Sequence, residues 1–349
     1  MARNVPGIGK GYPLMPRCLV DSTIERVTIN GFAFPLGVYP VEPLTPVPGY
    51  TLDFEPSDGD DNDGEWEEWP DRYVFDVVVS ADRLESLLRG LFGLFPGRVY
   101  PILDVLGRDA YREIDPYIAY DMVGLDRFLD AFRRYRGFFL ESGLSGFGLL
   151  SDDPFVYVFV DEHKIVTIRV QADMKERVEK ILAAFDLEHK DEPAGVDSAQ
   201  HEHREVLVAP DDRPDLLNFD EIVEQLRDDL RLTLNIDPER NLDDDDNELG
   251  VTAWRGIIRA HKDEEDKNGR YAELILTAAN LRDTESIVEQ GMETLLPPGV
   301  SEWAFLMIVA MDRLEPPEAA EHLGDSAIIA DLKKDPQPES RIYRATWLE

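Results

Sequence analysis

Apolar residues recur along this chain in short blocks whose period switches between two and about 3.6, the mark of strands alternating with helices. Tyr73–Ser80 is apolar and β-branched and predicts a strand. Ser80 then stands at an N-cap position, and Leu84, Leu87, Leu88 and Leu91 line one face of the helix that follows. A second strand is expected over Arg98–Leu106, where Pro101 removes a ladder donor and marks an edge or a bulge. Tyr117–Val123 reads as a third strand. Asp126–Glu141 reads as a helix with the stripe Phe128, Leu129, Phe132, Tyr135 and Phe139, ended by Gly143, Gly146 and Gly148. A hairpin of Phe155–Val160 and Lys164–Val170 turns at Asp161-Glu-His-Lys, and Asp173–Phe185 closes this half as a helix.

Residues 186–203 are polar and hold three of the six histidines, which predicts a linker. A second cycle follows. Glu205–Ala209 is a strand, and Asp220–Leu232 is a helix with Ile222, Val223, Leu226 and Leu230 inward. Val251–His261 and Arg270–Ala278 pair about the charged turn Lys262–Gly269; helix Asp283–Leu295, strand Trp303–Met311 and a last strand Arg341–Trp347 complete it. Ahead of both cycles, residues 1–56 carry too many prolines for a long helix, and residues 57–71 form an acidic loop pinned by Trp66 and Trp69. Both halves spell strand, helix, strand, strand, helix, strand. The expected class is therefore α+β: two βαββαβ (ferredoxin-like) domains with a proline-rich N-terminal extension. The expected division is 1–72 for the extension and acidic loop, 73–187 for the first domain, 188–204 for a polar linker, and 205–349 for the second domain with a C-terminal tail.

Charge narrows the partners. Asp and Glu number 72 against 36 Lys and Arg, a net charge of −36. Nucleic-acid affinity comes from Lys and Arg neutralising phosphates, so a body this acidic repels DNA, RNA and anionic lipid through its general surface. Solubility, including life in a salty cytoplasm, accounts for such a charge; a basic protein partner and mimicry of DNA are the competing readings. The basic residues are 27 Arg and 9 Lys, which fits the salt reading. The acids are spread along the whole chain, which argues against mimicry. Cys18 is the single cysteine, so no intrachain disulfide or thiolate metal site forms. The first residues lack the apolar core of a signal peptide, and the longest apolar stretches fall well short of the roughly 20 residues that cross a bilayer. A cytoplasmic protein without membrane contact is expected.

Most short motifs fail on inspection. Gly143-Leu-Ser-Gly-Phe-Gly lacks the glycine a nucleophile elbow needs two residues after its serine, and helix precedes strand here rather than following it. Gly7-Ile-Gly-Lys-Gly has neither the spacing nor the flanking elements of a phosphate loop. The acidic runs Asp58–Glu65 and Asp243–Glu248 do not match a calcium loop. With 72 acids, spacing cannot single out a catalytic pair.

Two clusters stand as candidate sites. His201 and His203, with His189 nearby, offer imidazoles to a metal, although a polar linker gives ligands little support. Arg127, Arg133, Arg134 and Arg136 concentrate positive charge on one helix and either pair with Asp126, Asp130 and Glu141 or grip an anion or acidic partner. No cofactor and no catalytic residue is expected. The function these features point to is a non-catalytic protein-interaction role (inhibitor, immunity-type or adaptor), with a basic protein among the partners the charge admits. An enzyme with an inter-domain cleft and a ligand-sensing ferredoxin-like module are the alternatives.

Overall fold

The computed structural model describes residues 16–57, 69–261, 269–295, 305–334 and 340–348. The leader glycines, Trp66 with most of the acidic loop, most of the turn Lys262–Gly269, and the start of the strand expected from Trp303 lie outside these residues. The chain is a mixed α/β protein with eight α-helices among the described residues. None of them is long and apolar enough to cross a membrane. Two compact units divide it: Met1–Val105 with Pro116–Leu234, and Leu106–Asp115 with Asn235–Glu349. The division falls after Leu234 rather than within 188–204.

The first unit opens with short strands β1 (Leu19–Val20), β2 (Thr28–Ile29), β3 (Phe32–Ala33), β4 (Val38–Pro40), β5 (Gly49–Tyr50) and β6 (Asp53–Glu55). It continues with β7 (Arg72–Val78), α1 (Ala81–Phe92), β8 (Arg98–Leu106), β9 (Ile114–Ile118), β10 (Val123–Gly124), α2 (Leu125–Arg134) and α3 (Arg136–Glu141). Then come β11 (Ser145–Asp152), β12 (Phe155–Val160), β13 (Val166–Gln171), α4 (Lys175–Ala184), β14 (His201–His203), β15 (Leu207–Val208), α5 (Phe219–Leu230) and β16 (Thr233–Leu234). The main sheet has the order β16-β9-β8-β11-β12-β13-β7-β5. Its central pairs, β8–β11, β11–β12, β12–β13 and β13–β7, are antiparallel.

Period-two burial explains the covered face: Val166, Ile168 and Val170 of β13 are fully buried, as are the four leucines expected on α1. Each such side chain contributes roughly 1.5–3 kcal/mol relative to exposure. Phe128 and Phe132 of α2, Phe139 of α3 and Phe147 of β11 stack into one aromatic cluster, with Phe139 and Phe147 at 4.8 Å. The helix expected over Asp126–Glu141 breaks at buried Tyr135, whose φ of −112° and ψ of 35° leave the helical region. Both Phe138 and Phe139 can then face the core.

The observed element order departs from βαββαβ, for two physical reasons. Gly146 and Gly148 are not turn residues but lie inside β11. A Cβ at Gly148 would meet Val158 O at 2.6 Å and the Phe159 ring at 2.8 Å, so glycine here serves close packing across the sheet. Three consecutive strands thus follow α3. In addition, β15 and α5 belong to the first unit: Ile222, Leu226 and Leu230 join its core, and Phe219 meets Phe138 at 5.1 Å. α5 ends at Arg231, held in the left-handed region at φ 58° and ψ 43° while Leu232 N donates to Arg227 O. A side chain there costs about 1 kcal/mol that glycine avoids. Arg231→Gly is expected to stabilise the chain by about that amount, read as a higher urea midpoint at unchanged slope.

The second unit contains β17 (Thr252–His261), β18 (Arg270–Ala278), α6 (Leu281–Leu295), β19 (Phe305–Leu314), α7 (Pro316–Leu323), α8 (Ala327–Leu332) and β20 (Arg341–Trp347). Its antiparallel sheet has the order β19-β17-β18-β20. Alternate residues of β18 face opposite layers. Ile275 packs with Ala319 of α7 and Ile328 of α8, whereas Leu274 meets α6 so closely that a Cβ on Gly291 would lie 2.4 Å from it. The segment Leu106–Asp115 is fastened to β19 by a buried ion pair. Asp109 accepts the Arg313 backbone N–H at 2.8 Å and its Nε–H at 2.9 Å, and also the Tyr111 N–H at 2.9 Å. Arg313 Nη1 donates to Asn241 Oδ1 at 3.1 Å. Neighbouring Asp312 is also buried, and burial together with the charges of Asp115 and Asp109 pushes its carboxyl up to about 6.

Candidate metal centre

Three imidazoles from two separate segments meet in the first unit. His201 and His203 alternate on β14, so the strand period sends both to one side and Glu202 to the other. The strand is held from both directions. It pairs with β4 in the register His201↔Pro40 and His203↔Val38, and Glu202 accepts from the Tyr39 hydroxyl at 2.7 Å, which raises the tyrosine above its ordinary range. Arg204 covers the Tyr39 ring at 4.4 Å and donates to Leu36 O at 2.7 Å. The third imidazole, His163, comes from the β12–β13 turn. There Asp161 Oδ1 accepts from Ile165 N at 2.8 Å, and Lys164 adopts φ 66° with its ammonium buried on Ser145 O. Burial pushes that ammonium down to about 8.

The rings are mutually edge-on, with centroids 4.7 to 5.2 Å apart. His163 Nε2 and His201 Nε2 are 3.0 Å apart. The outer nitrogens are engaged elsewhere. His201 Nδ1 donates to Ala199 O at 2.8 Å, and His203 Nδ1 donates to Gly143 O. His163 Nδ1 faces Glu162 Oε1 at 3.3 Å and Asp161 Oδ2 at 3.5 Å. Gly143 can approach this closely because Gly37 abuts it: a Cβ on Gly37 would lie 2.2 Å from Gly143 N.

Each imidazole with its Nδ1–H engaged carries a bare lone pair at Nε2. Two such lone pairs 3.0 Å apart repel unless a proton or a cation lies between them. One potential ligand atom from each of the three rings lies within 4.8 Å of the others. Nitrogens sharing one tetrahedral zinc at about 2.0–2.1 Å stand about 3.3–3.4 Å apart, so closing the trio from within 4.8 Å takes movements of up to about 1.5 Å. Outer-nitrogen contacts to backbone carbonyls and carboxylates are the usual support of metal-bound histidine. Burial lowers His163, but the hydrogen bond and charge of Asp161, with Glu162 and Asp197, outweigh it and leave the ring above its ordinary value. His203 is below its ordinary value through burial, which favours the neutral form a ligand needs. Asp104 on β8 is raised to about 6 by burial and by the charge of Glu162.

The other sequence candidates are dispersed. His189 lies against Tyr50, with centroids 5.9 Å apart, and is not part of the trio. Arg133 pairs with Asp130 at 2.8 Å, Arg136 with Glu85 at 2.7 Å, and Arg134 approaches Asp229 at 4.0 Å. Arg127 has no ion pair among the described residues. His163 escaped the sequence reading because a hairpin turn suggests exposure; the one signal was that His201-Glu-His203 has strand spacing. Compared with known proteins, the chain matches no family model, no curated protein and no solved structure.

Proposed function

We propose that this chain binds one divalent transition-metal ion, zinc by ligand chemistry, through Nε2 of His163, His201 and His203. The observation that carries the reading is the facing pair of Nε2 atoms at 3.0 Å with a third imidazole beside it. A shared proton relieves repulsion between two nitrogens only, whereas one ion serves all three. Imidazole suits zinc, copper, nickel and iron, and zinc accepts three protein nitrogens with a fourth position open to solvent or a ligand. The three ligands are neutral, so the ion keeps its full charge, and Asp161 and Glu162 provide the compensating negative field. The ion ties β14, and with it the polar stretch after α4, to the β12–β13 turn.

The test uses the full chain stripped with a chelator and titrated with zinc, with cobalt as a spectroscopic substitute. One saturating equivalent, cobalt d–d bands of nitrogen-rich four-coordination, and a higher Tm with zinc are expected. His163→Ala and His203→Ala should each weaken zinc by at least about 100-fold, since even supporting groups cost 10–100-fold. His189→Ala should bind as the parent does. Absence of saturable binding, or an equal loss in His189→Ala, rules the site out.

A further inference from the structure

A hollow of about 300 Å³ is lined by Arg98, Met122, Val123, Gly124, Arg127 and Arg231. Half of that lining is guanidinium, and none of it is carboxylate, in a chain whose acids outnumber its bases two to one. Like charges around one concavity repel, weakly here because all three arginines are exposed, and an anion among them relieves that repulsion.

Three distant parts of the sequence supply these arginines, and two are individually held in place. Arg98, at the start of β8, donates from Nη2 to Met122 O at 2.8 Å, which fixes its head beside the hollow. Arg231 is held in a left-handed backbone conformation where glycine is the usual occupant. Arg127, in the first turn of α2, has no ion pair or hydrogen bond among the described residues. Two carboxylates flank the lining. Asp121 stands 3.9 Å from Arg231 with its side chain largely in solvent, and Asp126 folds back beside Gly124. Two acids against three arginines, all five exposed, leave the hollow with a net charge of about +1.

We propose that this hollow binds the phosphate group of a small phosphomonoester. Guanidinium forks match phosphate oxygens in pairs, which an ammonium does not. The volume is at the lower end of pockets that take small molecules, about 300–1,000 Å³, and leaves room beyond the phosphate, where Met122 offers an apolar contact. Of the four arginines that cluster along the sequence, only Arg127 contributes; the other three are engaged by carboxylates.

The experiment titrates the full chain with glycerol phosphate and, separately, with inorganic phosphate, at constant ionic strength in chloride, followed by phosphorus NMR and calorimetry. Saturable one-to-one binding is expected, tighter for the ester. Arg127→Gln and Arg231→Gly should each weaken it about tenfold or more, while Arg133→Gln leaves it unchanged. Arg231→Gly is expected to be more stable than the parent, so its loss of binding cannot be a loss of fold. A response that never saturates, or equal weakening by Arg133→Gln, means only general screening of charge and overturns the site. Equal affinity for the two phosphates removes the contact to the organic portion and overturns the ester assignment.

Discussion

Asp109→Ala is expected to destabilise the second unit by about 3–5 kcal/mol. The carboxylate it removes is fully buried and accepts from the Arg313 backbone and guanidinium and from Tyr111 N. Its loss leaves a buried guanidinium without its paired carboxylate, and breaking one side of such a pair is far costlier than the pair's net contribution suggests. The result appears as a lower denaturation midpoint and as loss of amide protection in β17 and β19, the strands that share Arg313's register. Unchanged exchange in those strands would show that Asn241 and Leu242 alone suffice to hold the guanidinium.

Asp312→Asn should act in the opposite direction, although the two carboxylates belong to one buried neighbourhood. Burial, then Asp115, then Asp109 raise Asp312 from 3.8 to about 6. Its folded form therefore holds a proton more tightly than its unfolded form. Between about pH 4 and pH 6 the folded state binds more protons, so stability falls as pH rises through that window. At pH 7 the ionised group costs about 2–3 kcal/mol. The neutral asparagine avoids that cost. Asp312→Asn is expected to be more stable than the parent at pH 7 by about that amount, with the advantage vanishing below pH 4. Urea midpoints at pH 4 and pH 7 decide it; a difference independent of pH would locate the effect in packing rather than charge.

Local structure was legible wherever one face of an element is buried and the other is not. The leucine stripe of α1, the β12–β13 hairpin and the strands β18 and β20 follow directly from apolar spacing. The two helices after β19 were not separated from the tail, because Pro316 and Gly324 mark the ends of α7 while its apolar face is little more than Ala319. β11 was hidden because its glycines signal a turn locally, and only the close approach of the β12 backbone and the Phe159 ring across the sheet explains them. Assembly was less legible still. Nothing in the spacing of Leu207 and Val208 says that their partner strand is Leu19–Val20, nor that Phe219 seeks Phe138. The candidate metal centre shows the same limit. Two of its imidazoles are visible as a pair on one strand, but the third is 38 residues away and joins them through tertiary packing alone.

The pairing of β1 with β15 and of β4 with β14 also has a kinetic side. A nascent chain leaves the ribosome from its amino end, and these early strands have their hydrogen-bond partners at positions 201–208. Until that stretch emerges, Leu19–Val20 and Val38–Pro40 present open edges to whatever else is being translated nearby. Completion of this unit is therefore a late event in biosynthesis, and truncation just short of position 200 should yield a product that needs a chaperone to stay out of aggregates.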